Sequence, residues 1–329
     1  MNRRDASGED VARAALAGRR ADIARLISLM EDRRASAANR RDDAIAILER
    51  HALDHGHRCA VLGITGTPGA GKSSLMAVVT PRLLAMDPRL RVAVVAIDPS
   101  SPTSGGSLLG DRTRMRSSPD EHRVYFRSQA TVTSLGGMAP ATYEVCRALA
   151  TVFDLILVET VGVGQSEADI RCLADHVYLV LGPAGGDDVQ LLKAGIIEIP
   201  DSFILNKADA PGAAKAYHQL QASLWLARPF DGDDIEIRHT SALRGDGIDE
   251  LASSMLDRAR VTASVGGVAD RAGYFLARWV REEWGRVGNA HLRDVLGGPD
   301  RLLADHVGFG RAQVAFDSDI RRSLTVVTS

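Results

Sequence analysis

Short apolar runs without polar alternation are the feature that most restricts how this chain can fold. They lie at 59–65, 91–98, 153–160, 176–182 and 202–208. Strands that are buried on both faces of a parallel sheet have this composition, because neither face needs polar side chains. Helical stretches follow several of these runs, at 72–86, 140–152 and 213–227, and a further strand at 235–242 precedes a helix from Ile248. This alternation predicts an α/β fold with a doubly wound, mostly parallel sheet.

Helical segments flank the predicted sheet domain at both ends. Apolar residues from Leu16 to Met30 recur at helical spacing, and Ser7 with Asp10 resembles a capping box. These features predict two helices before the sheet domain. After a Gly-containing break, apolar residues around Trp279 predict one amphipathic helix, with another near 289–304. The predicted domains are a helical extension at 1–55, the sheet domain at 56–262 and a helical tail at 263–329.

A phosphate-binding motif directly follows the first predicted strand. GTPGAGKS at 66–73 matches G-x-x-x-x-G-K-[ST] at the start of a helix. Its glycines allow a tight turn whose backbone N–H groups point at phosphate oxygens, and the helix N-terminus adds partial positive charge. Lys72 is expected to contact the β- and γ-phosphates and Ser73 to bind Mg²⁺. The predicted phosphate site comprises Gly66, Gly69, Ala70, Gly71, Lys72, Ser73 and Ser74.

Acidic residues end two of the predicted strands. Asp98 closes the second run and Glu159 closes the third, at the edge where open α/β sheets bind ligands. Carboxylates there hold Mg²⁺ directly or through its waters. For either residue alone, a helix cap or a solvated strand end is the alternative. Gly162 is placed for its N–H to meet the γ-phosphate.

A second motif points to the base of the nucleotide. NKAD at 206–209 follows an apolar strand, and the Asp209 carboxylate can accept hydrogen bonds from N1–H and N2–H₂ of guanine. Adenine offers neither donor in that arrangement, so the sequence favours GTP and GDP over ATP. Asn206 is expected to position the loop, and the Lys207 stem to lie along the base. Ser241 and Ala242 resemble a second guanine loop whose backbone N–H contacts O6.

Composition excludes several other classes of protein. The chain has 40 basic and 42 acidic residues, a balance that argues against a nucleic-acid partner. No window approaches 18 apolar residues and the N-terminus lacks an apolar signal region, so no membrane span or secretory signal is expected. The chain has an odd number of cysteines, and the three are scattered along the sequence, at Cys59, Cys146 and Cys172. They predict reduced thiols and a cytoplasmic protein.

With these motifs in place, the chain resembles the MeaB/ArgK-type P-loop GTPases. The resemblance covers roughly residues 10–260 and is carried by DPSSPTSGGSLLGDRTRM at 98–115, ETVGVGQSE at 159–167 and KAGIIEIPDSFILNKAD at 193–209. It implies a homodimeric GTPase whose tail at 263–329 mediates dimerisation. It also implies a chaperone of an adenosylcobalamin-dependent acyl-CoA mutase, typically methylmalonyl-CoA mutase, that gates cofactor loading and protects or reactivates the enzyme.

The resemblance also assigns switch residues. Asp98, Asp111 and Glu159 fall on acidic positions of the Mg²⁺ site and of the first two switch loops, and are grouped with Lys72 as catalytic. Asp187 and Lys193 match the charged pair of the third switch. The family's PGAGDELQ is here GPAGGDDVQ, which leaves an isobutyryl- or hydroxyisobutyryl-type mutase open as the partner. Intrinsic GTP hydrolysis is expected to be slow and stimulated by that partner.

Three alternatives remain open at the level of sequence. His51, His55 and His57 beside Cys59 offer nickel ligands, as in a nickel-delivery GTPase, although their spacing fits no standard site. The arginines at 112, 114 and 116 suggest a surface that binds RNA. Because acidic and basic residues balance in this chain, a switch-loop surface that contacts phosphates or a partner explains these arginines better. A GTP-dependent adaptor that does not hydrolyse its nucleotide is the third.

Overall fold

A computed structural model describes residues 6–98, 121–130, 138, 140–160, 166–183, 199–227, 235–264 and 268–327. These residues fall into two compact units. The sheet unit comprises residues 59–139 and 153–264, and the helical unit comprises residues 1–58, 140–152 and 265–329. The predicted extension and tail therefore belong to one unit, together with a helix from the middle of the chain.

The sheet unit is built on a parallel sheet. Its strands are β1 (Ala60–Gly66), β2 (Val92–Asp98), β3 (Val124–Ala130), β4 (Leu155–Glu159), β5 (His176–Leu181), β6 (Ser202–Leu205) and β7 (Ile237–His239). The spatial order is β3-β2-β4-β1-β5-β6-β7, and every pair is parallel. From β1 the chain continues to β2 and β3 on one side and returns to place β4 between β2 and β1. It then adds β5, β6 and β7 on the other side, so the order reverses beside β1. Ligands bind open α/β sheets at such a reversal.

Buried apolar side chains hold helices against this sheet. Its helices are α4 (Lys72–Met86), α6 (Ser166–Leu173), α7 (Ala213–Ala227) and α8 (Ile248–Thr262). Every residue of β1, β2 and β4 is buried, as expected for central strands covered on both faces. One cluster packs α4 and α8 on the central strands, and a smaller cluster packs α7 on β5 and β6. The predicted doubly wound α/β fold is confirmed.

The helical unit gathers segments that are distant in sequence. Its helices are α1 (Gly8–Leu16), α2 (Arg20–Met30), α3 (Ala35–Asp54), α5 (Pro140–Leu149), α9 (Ala272–Asp294), α10 (Pro299–Asp305) and α11 (Phe309–Val327). The ring of Tyr143 stacks on Phe275 at 4.7 Å and lies 5.2 Å from Phe309. The buried Arg41 donates to Glu144 at 3.0 Å. These contacts join the start, the middle and the end of the chain.

The structure differs from the sequence predictions in three places. Strand β3 lies between the runs at 91–98 and 153–160, where the apolar pattern predicted no strand, because its half-buried edge position admits polar residues such as Arg127. The N-terminal segment forms three helices rather than two, since Gly18 adopts a φ of +73° after α1. The tail forms α9 to α11, with Gly285 at a φ of +59° inside α9. The predicted capping box is present, because Ser7 and Asp10 exchange hydrogen bonds.

None of the helices in the described ranges is both long and apolar enough to cross a membrane.

Candidate functional site

The phosphate motif forms a tight loop between β1 and α4. Gly66, Gly69 and Gly71 all have positive φ values, of +146°, +82° and +90°, a region that favours glycine. A Cβ at Gly71 would approach the amide nitrogen of Asn206 to 2.6 Å. The glycines therefore provide both the turn and the close approach of another loop, and the backbone is shaped to surround phosphate oxygens.

The motif's lysine lies inside the loop. Lys72 is 6% exposed, and its Nζ donates to the carbonyl oxygens of Gly66 at 2.8 Å and Thr67 at 3.1 Å. A buried ammonium held by two carbonyl oxygens places one full positive charge at the start of α4. That charge adds to the partial positive charge of the helix N-terminus, which favours an anionic ligand.

Oxygen ligands suited to Mg²⁺ meet beside the loop. The Ser73 hydroxyl donates to Oε1 of Glu159 at 2.6 Å. Glu159 ends β4, and Asp98 ends the neighbouring β2 with its side chain buried. A hydroxyl and carboxylates are the hard oxygen donors that Mg²⁺ takes in nucleotide sites. The donor set therefore fits this ion.

The histidine cluster shows no comparable metal site. The rings of His51 and His55 stack with their centroids 4.0 Å apart. Across the described ranges, no group of three or more His, Cys, Asp or Glu residues is arranged to hold a metal ion.

Asn206 joins the predicted base loop to the phosphate loop. This residue is 1% exposed, and its Nδ2 donates to the carbonyl oxygen of Ala70 at 2.9 Å. Its Oδ1 accepts from the backbone N–H of Ala242 at 3.2 Å and from the Thr240 hydroxyl at 3.3 Å. One amide therefore connects three loops that follow β1, β6 and β7.

The neighbouring lysine reinforces this connection. Lys207 adopts a φ of +60°, which is uncommon for a residue other than glycine. Its Nζ donates to the carbonyl oxygen of Gly69 at 2.7 Å, so its stem crosses from the base loop to the phosphate loop. The backbone strain marks a position where the surrounding structure fixes the chain.

Asp209 is held ready as a hydrogen-bond acceptor. The Ser241 hydroxyl donates to its Oδ1 at 2.5 Å, and Nε of Arg244 lies 3.8 Å from its Oδ2. The hydrogen bond from Ser241, with a smaller contribution from Arg244, holds the pKa of the Asp209 carboxyl below its ordinary value. The carboxylate is therefore ionised at neutral pH, as acceptance of two guanine N–H groups requires.

The structure brings together most of the predicted site residues around one crevice. The phosphate loop, Asp98, Glu159, and the 206–209 and 241–242 loops all lie at the carboxyl ends of the strands. The predicted residues Asp111, Gly162, Asp187 and Lys193 lie outside the described residues.

Two contributors were missed in the sequence. Thr240 donates to Asn206, and Arg244 approaches Asp209 while its backbone N–H donates to the Ser241 hydroxyl at 3.0 Å. Both flank the Ser241-Ala242 pair, so their position in the second base loop is the signal that could have identified them.

Comparison with known proteins identifies one family over most of the chain. A family model described as methylmalonyl Co-A mutase-associated GTPase MeaB matches residues 23–287. A putative GTPase of Pyrococcus horikoshii is 40% identical over 260 residues, which cover 77% of this chain and 78% of that protein. A putative GTPase of Pyrococcus abyssi is 46% identical over 210 residues, 64% of this chain and 62% of its own length.

A further relative and a solved structure agree with that match. The mouse protein named methylmalonic aciduria type A homolog, mitochondrial, is 39% identical over 59% of this chain and 48% of its own length. The crystal structure of a LAO/AO transport system kinase has a TM-score of 0.60 and 26% identity, and the match covers 93% of this chain and 91% of that one.

Proposed function

The chain is a P-loop GTPase that belongs to the MeaB family of methylmalonyl-CoA mutase-associated GTPases, and from this premise we propose that its nucleotide cycle serves an adenosylcobalamin-dependent acyl-CoA mutase. In this proposal the protein gates loading of the cofactor and protects or reactivates the mutase. The family description and the relatedness to the methylmalonic aciduria type A homolog support this role. Methylmalonyl-CoA mutase is the partner we favour, and a related isobutyryl- or hydroxyisobutyryl-type mutase is the alternative.

The crevice at the carboxyl ends of the strands is the proposed site for GTP and GDP. The loop N–H groups and Lys72 bind the phosphates, and Asp209 reads the guanine edge. Ser73, Asp98 and Glu159 would hold Mg²⁺, which would supply charge neutralisation at the phosphate oxygens. The observation that carries this assignment is the Asn206 amide, which fixes the base loop and the phosphate loop in one geometry.

Switch and hydrolysis roles complete the proposal. Asp111, Gly162, Asp187 and Lys193 respond to the γ-phosphate and relay its presence to the mutase. Intrinsic turnover is slow, because ordering of the switches by a partner supplies much of the catalytic geometry in such enzymes. We also propose a cytoplasmic homodimer that associates through the tail at 263–329, where Val287 and Val307 are 59% and 79% exposed.

Phosphate release in the presence and absence of purified methylmalonyl-CoA mutase tests the proposal. We expect the mutase to raise the GTPase rate at least about tenfold and to elute with the protein in gel filtration. Lys72→Ala should lower the stimulated rate on the order of 100-fold or more. Lys215→Ala is the matched control, because Lys215 is an exposed lysine of α7.

The outcomes separate the competing functions. GTP hydrolysis that is fast and indifferent to every acyl-CoA mutase tested would contradict a mutase chaperone. Stoichiometric Ni²⁺ binding that is lost when His51, His55 and His57 are replaced by alanine would favour the nickel-delivery alternative. Partner binding that depends on GTP, together with phosphate release that is no higher in the wild type than in Lys72→Ala, would favour a non-hydrolysing adaptor.

A further inference from the structure

A large surface cavity lies within the helical unit, remote in sequence from every nucleotide motif. It has a volume of about 980 Å³ and is lined by residues of α1, α2, the following turn and α3. We call it the arginine cavity, because Arg25, Arg34 and Arg40 line it. Gly8 of α1 packs directly on the backbone of Arg40 in α3, so the walls belong to packed helices rather than to a loose loop.

The acidic groups near the cavity already form ion pairs with arginines other than Arg40. Asp32 is the one carboxylate in the lining, and Arg34 binds it with Nε at 2.8 Å and Nη2 at 2.5 Å. The Asp22 carboxylate accepts hydrogen bonds from Nη1 of Arg25 at 2.8 Å and from Nε of Arg19 at 2.7 Å. Neither carboxylate is therefore available to balance a further cation, and the lining keeps an excess of positive charge.

Arg40 is the cation left over. It lines the cavity, its side chain is half-buried, and no carboxylate of the described residues pairs with it. A guanidinium keeps its positive charge at neutral pH, and one without a carboxylate partner usually pairs with water or with an anionic group. Guanidinium groups bind carboxylates and phosphates in a planar, two-point geometry. Arg40 therefore marks where an anionic group would sit.

The rest of the lining combines apolar side chains with Ser28 and Ser36. Val11, Ala24, Leu29 and Ala37 line the cavity, and Val11, Leu29 and Ala37 are less than a tenth exposed. Inorganic phosphate would contact little of this surface, and the volume lies in the range of sites that hold small organic molecules. A hydrocarbon body beside the anionic group would cover the apolar wall.

We propose that the arginine cavity binds a small organic anion, with its carboxylate or phosphate on Arg40 and its hydrocarbon part against Val11, Leu29 and Ala37. Its lining shares no residue with the nucleotide crevice, and the proposal does not depend on the function proposed above. Arg25 and Arg34 contribute their remaining N–H donors at the rim, where their side chains are 50% and 76% exposed. The rim arginines attract the anion, and Arg40 fixes its position.

Calorimetric titration of the full-length protein tests this site with four probes. Octanoate and octyl phosphate carry both features of the proposed ligand, 1-octanol lacks the charge, and inorganic phosphate lacks the hydrocarbon. We expect one equivalent of octanoate or octyl phosphate to bind saturably, and the other two probes to bind at least about tenfold more weakly. Because the recognition is partly ionic, raising the salt concentration should weaken binding of both anionic amphiphiles.

Matched variants locate the binding. Arg40→Gln should weaken octyl phosphate at least about tenfold, and Arg20→Gln should leave it within about twofold, because Arg20 is an exposed arginine of α2 outside the lining. If Arg40→Gln does not fold by circular dichroism, Arg25→Gln replaces it, with an expected loss of several-fold. Non-saturable binding, equal losses in Arg40→Gln and Arg20→Gln, or binding of octanol or inorganic phosphate as tight as that of octyl phosphate would each overturn the proposal.

Discussion

Replacing Asn206 with alanine should separate the two halves of the nucleotide site. The side chain is almost fully buried, and its loss leaves the carbonyl oxygen of Ala70, the N–H of Ala242 and the hydroxyl of Thr240 without this partner. A buried polar group that loses its partner costs about 1–3 kcal/mol. Water that enters the vacated space recovers part of this cost, so the free energy of unfolding should fall by about 2–4 kcal/mol.

The larger consequence concerns ligands that touch both loops. GDP gains affinity when the base loop and the phosphate loop are held in a fixed geometry, because binding at one positions the other. Guanosine and pyrophosphate each engage a single loop and gain little from that geometry. In Asn206→Ala we therefore expect GDP affinity to fall on the order of 100-fold, and the affinities of guanosine and pyrophosphate to fall only a few-fold.

Urea unfolding and equilibrium titration with a fluorescent GDP analogue provide the measurements, with guanosine and pyrophosphate as competitors. Thr240→Val is the matched control, since it removes one hydrogen bond and leaves the amide in place. It should cost about 1 kcal/mol and change GDP affinity little. If Asn206→Ala weakens all three ligands by the same factor, the amide does not couple the loops and the reasoning fails.

Three further predictions follow from single contacts. Asp209→Asn should transfer preference from GTP to xanthosine triphosphate, whose 2-oxo group accepts from the new amide, and unchanged selectivity in competition binding would show that this residue does not read the base. Gly66→Ala should cost about 3 kcal/mol or more, because its Cβ would overlap the carbonyl oxygen of Val180. Gly69→Ala, also at positive φ but with nothing within 4 Å, should cost only about 1 kcal/mol, and equal midpoints in urea would contradict the steric explanation. Burial raises the pKa of Glu144 from its ordinary 4.5 to about 7; the unfolded chain therefore loses this proton first as pH rises. Stability should fall by up to about 3 kcal/mol between roughly pH 4.5 and 7. Glu144→Gln should flatten that slope in unfolding curves measured from pH 5 to 8, and a slope identical to that of the wild type would assign it to other groups.

Local patterns in the sequence determined much of the fold. The apolar runs predicted five of the seven strands of the sheet, because burial on both faces leaves an unalternated pattern that is visible within a few residues, and the segment at 235–242 predicted a sixth. Helices at 72–86 and 213–227 match α4 and α7 to the residue. Strand β3 escaped prediction, because an edge strand is partly exposed and lacks that pattern.

The candidate site was also accessible from the sequence in its parts. The phosphate motif and NKAD name residues whose roles follow from local chemistry and from their order along the chain. What they could not name is the connection between them. The Asn206 amide and the Ala70 carbonyl are 136 positions apart in the sequence, and only the parallel alignment of β1, β5 and β6 brings their loops within 2.9 Å.

Tertiary structure alone decided the helical unit and its arginine cavity. The sequence divides into an extension, a sheet domain and a tail, yet the first and last segments share a unit with α5. Buried contacts such as Tyr143 on Phe275 hold them together, and no local pattern encodes contacts between such distant segments. Likewise, the arginines of α2, of α3 and of the turn between them look equivalent in the sequence. Only packing determines that Arg34 receives a carboxylate and that Arg40 is left facing the cavity without one.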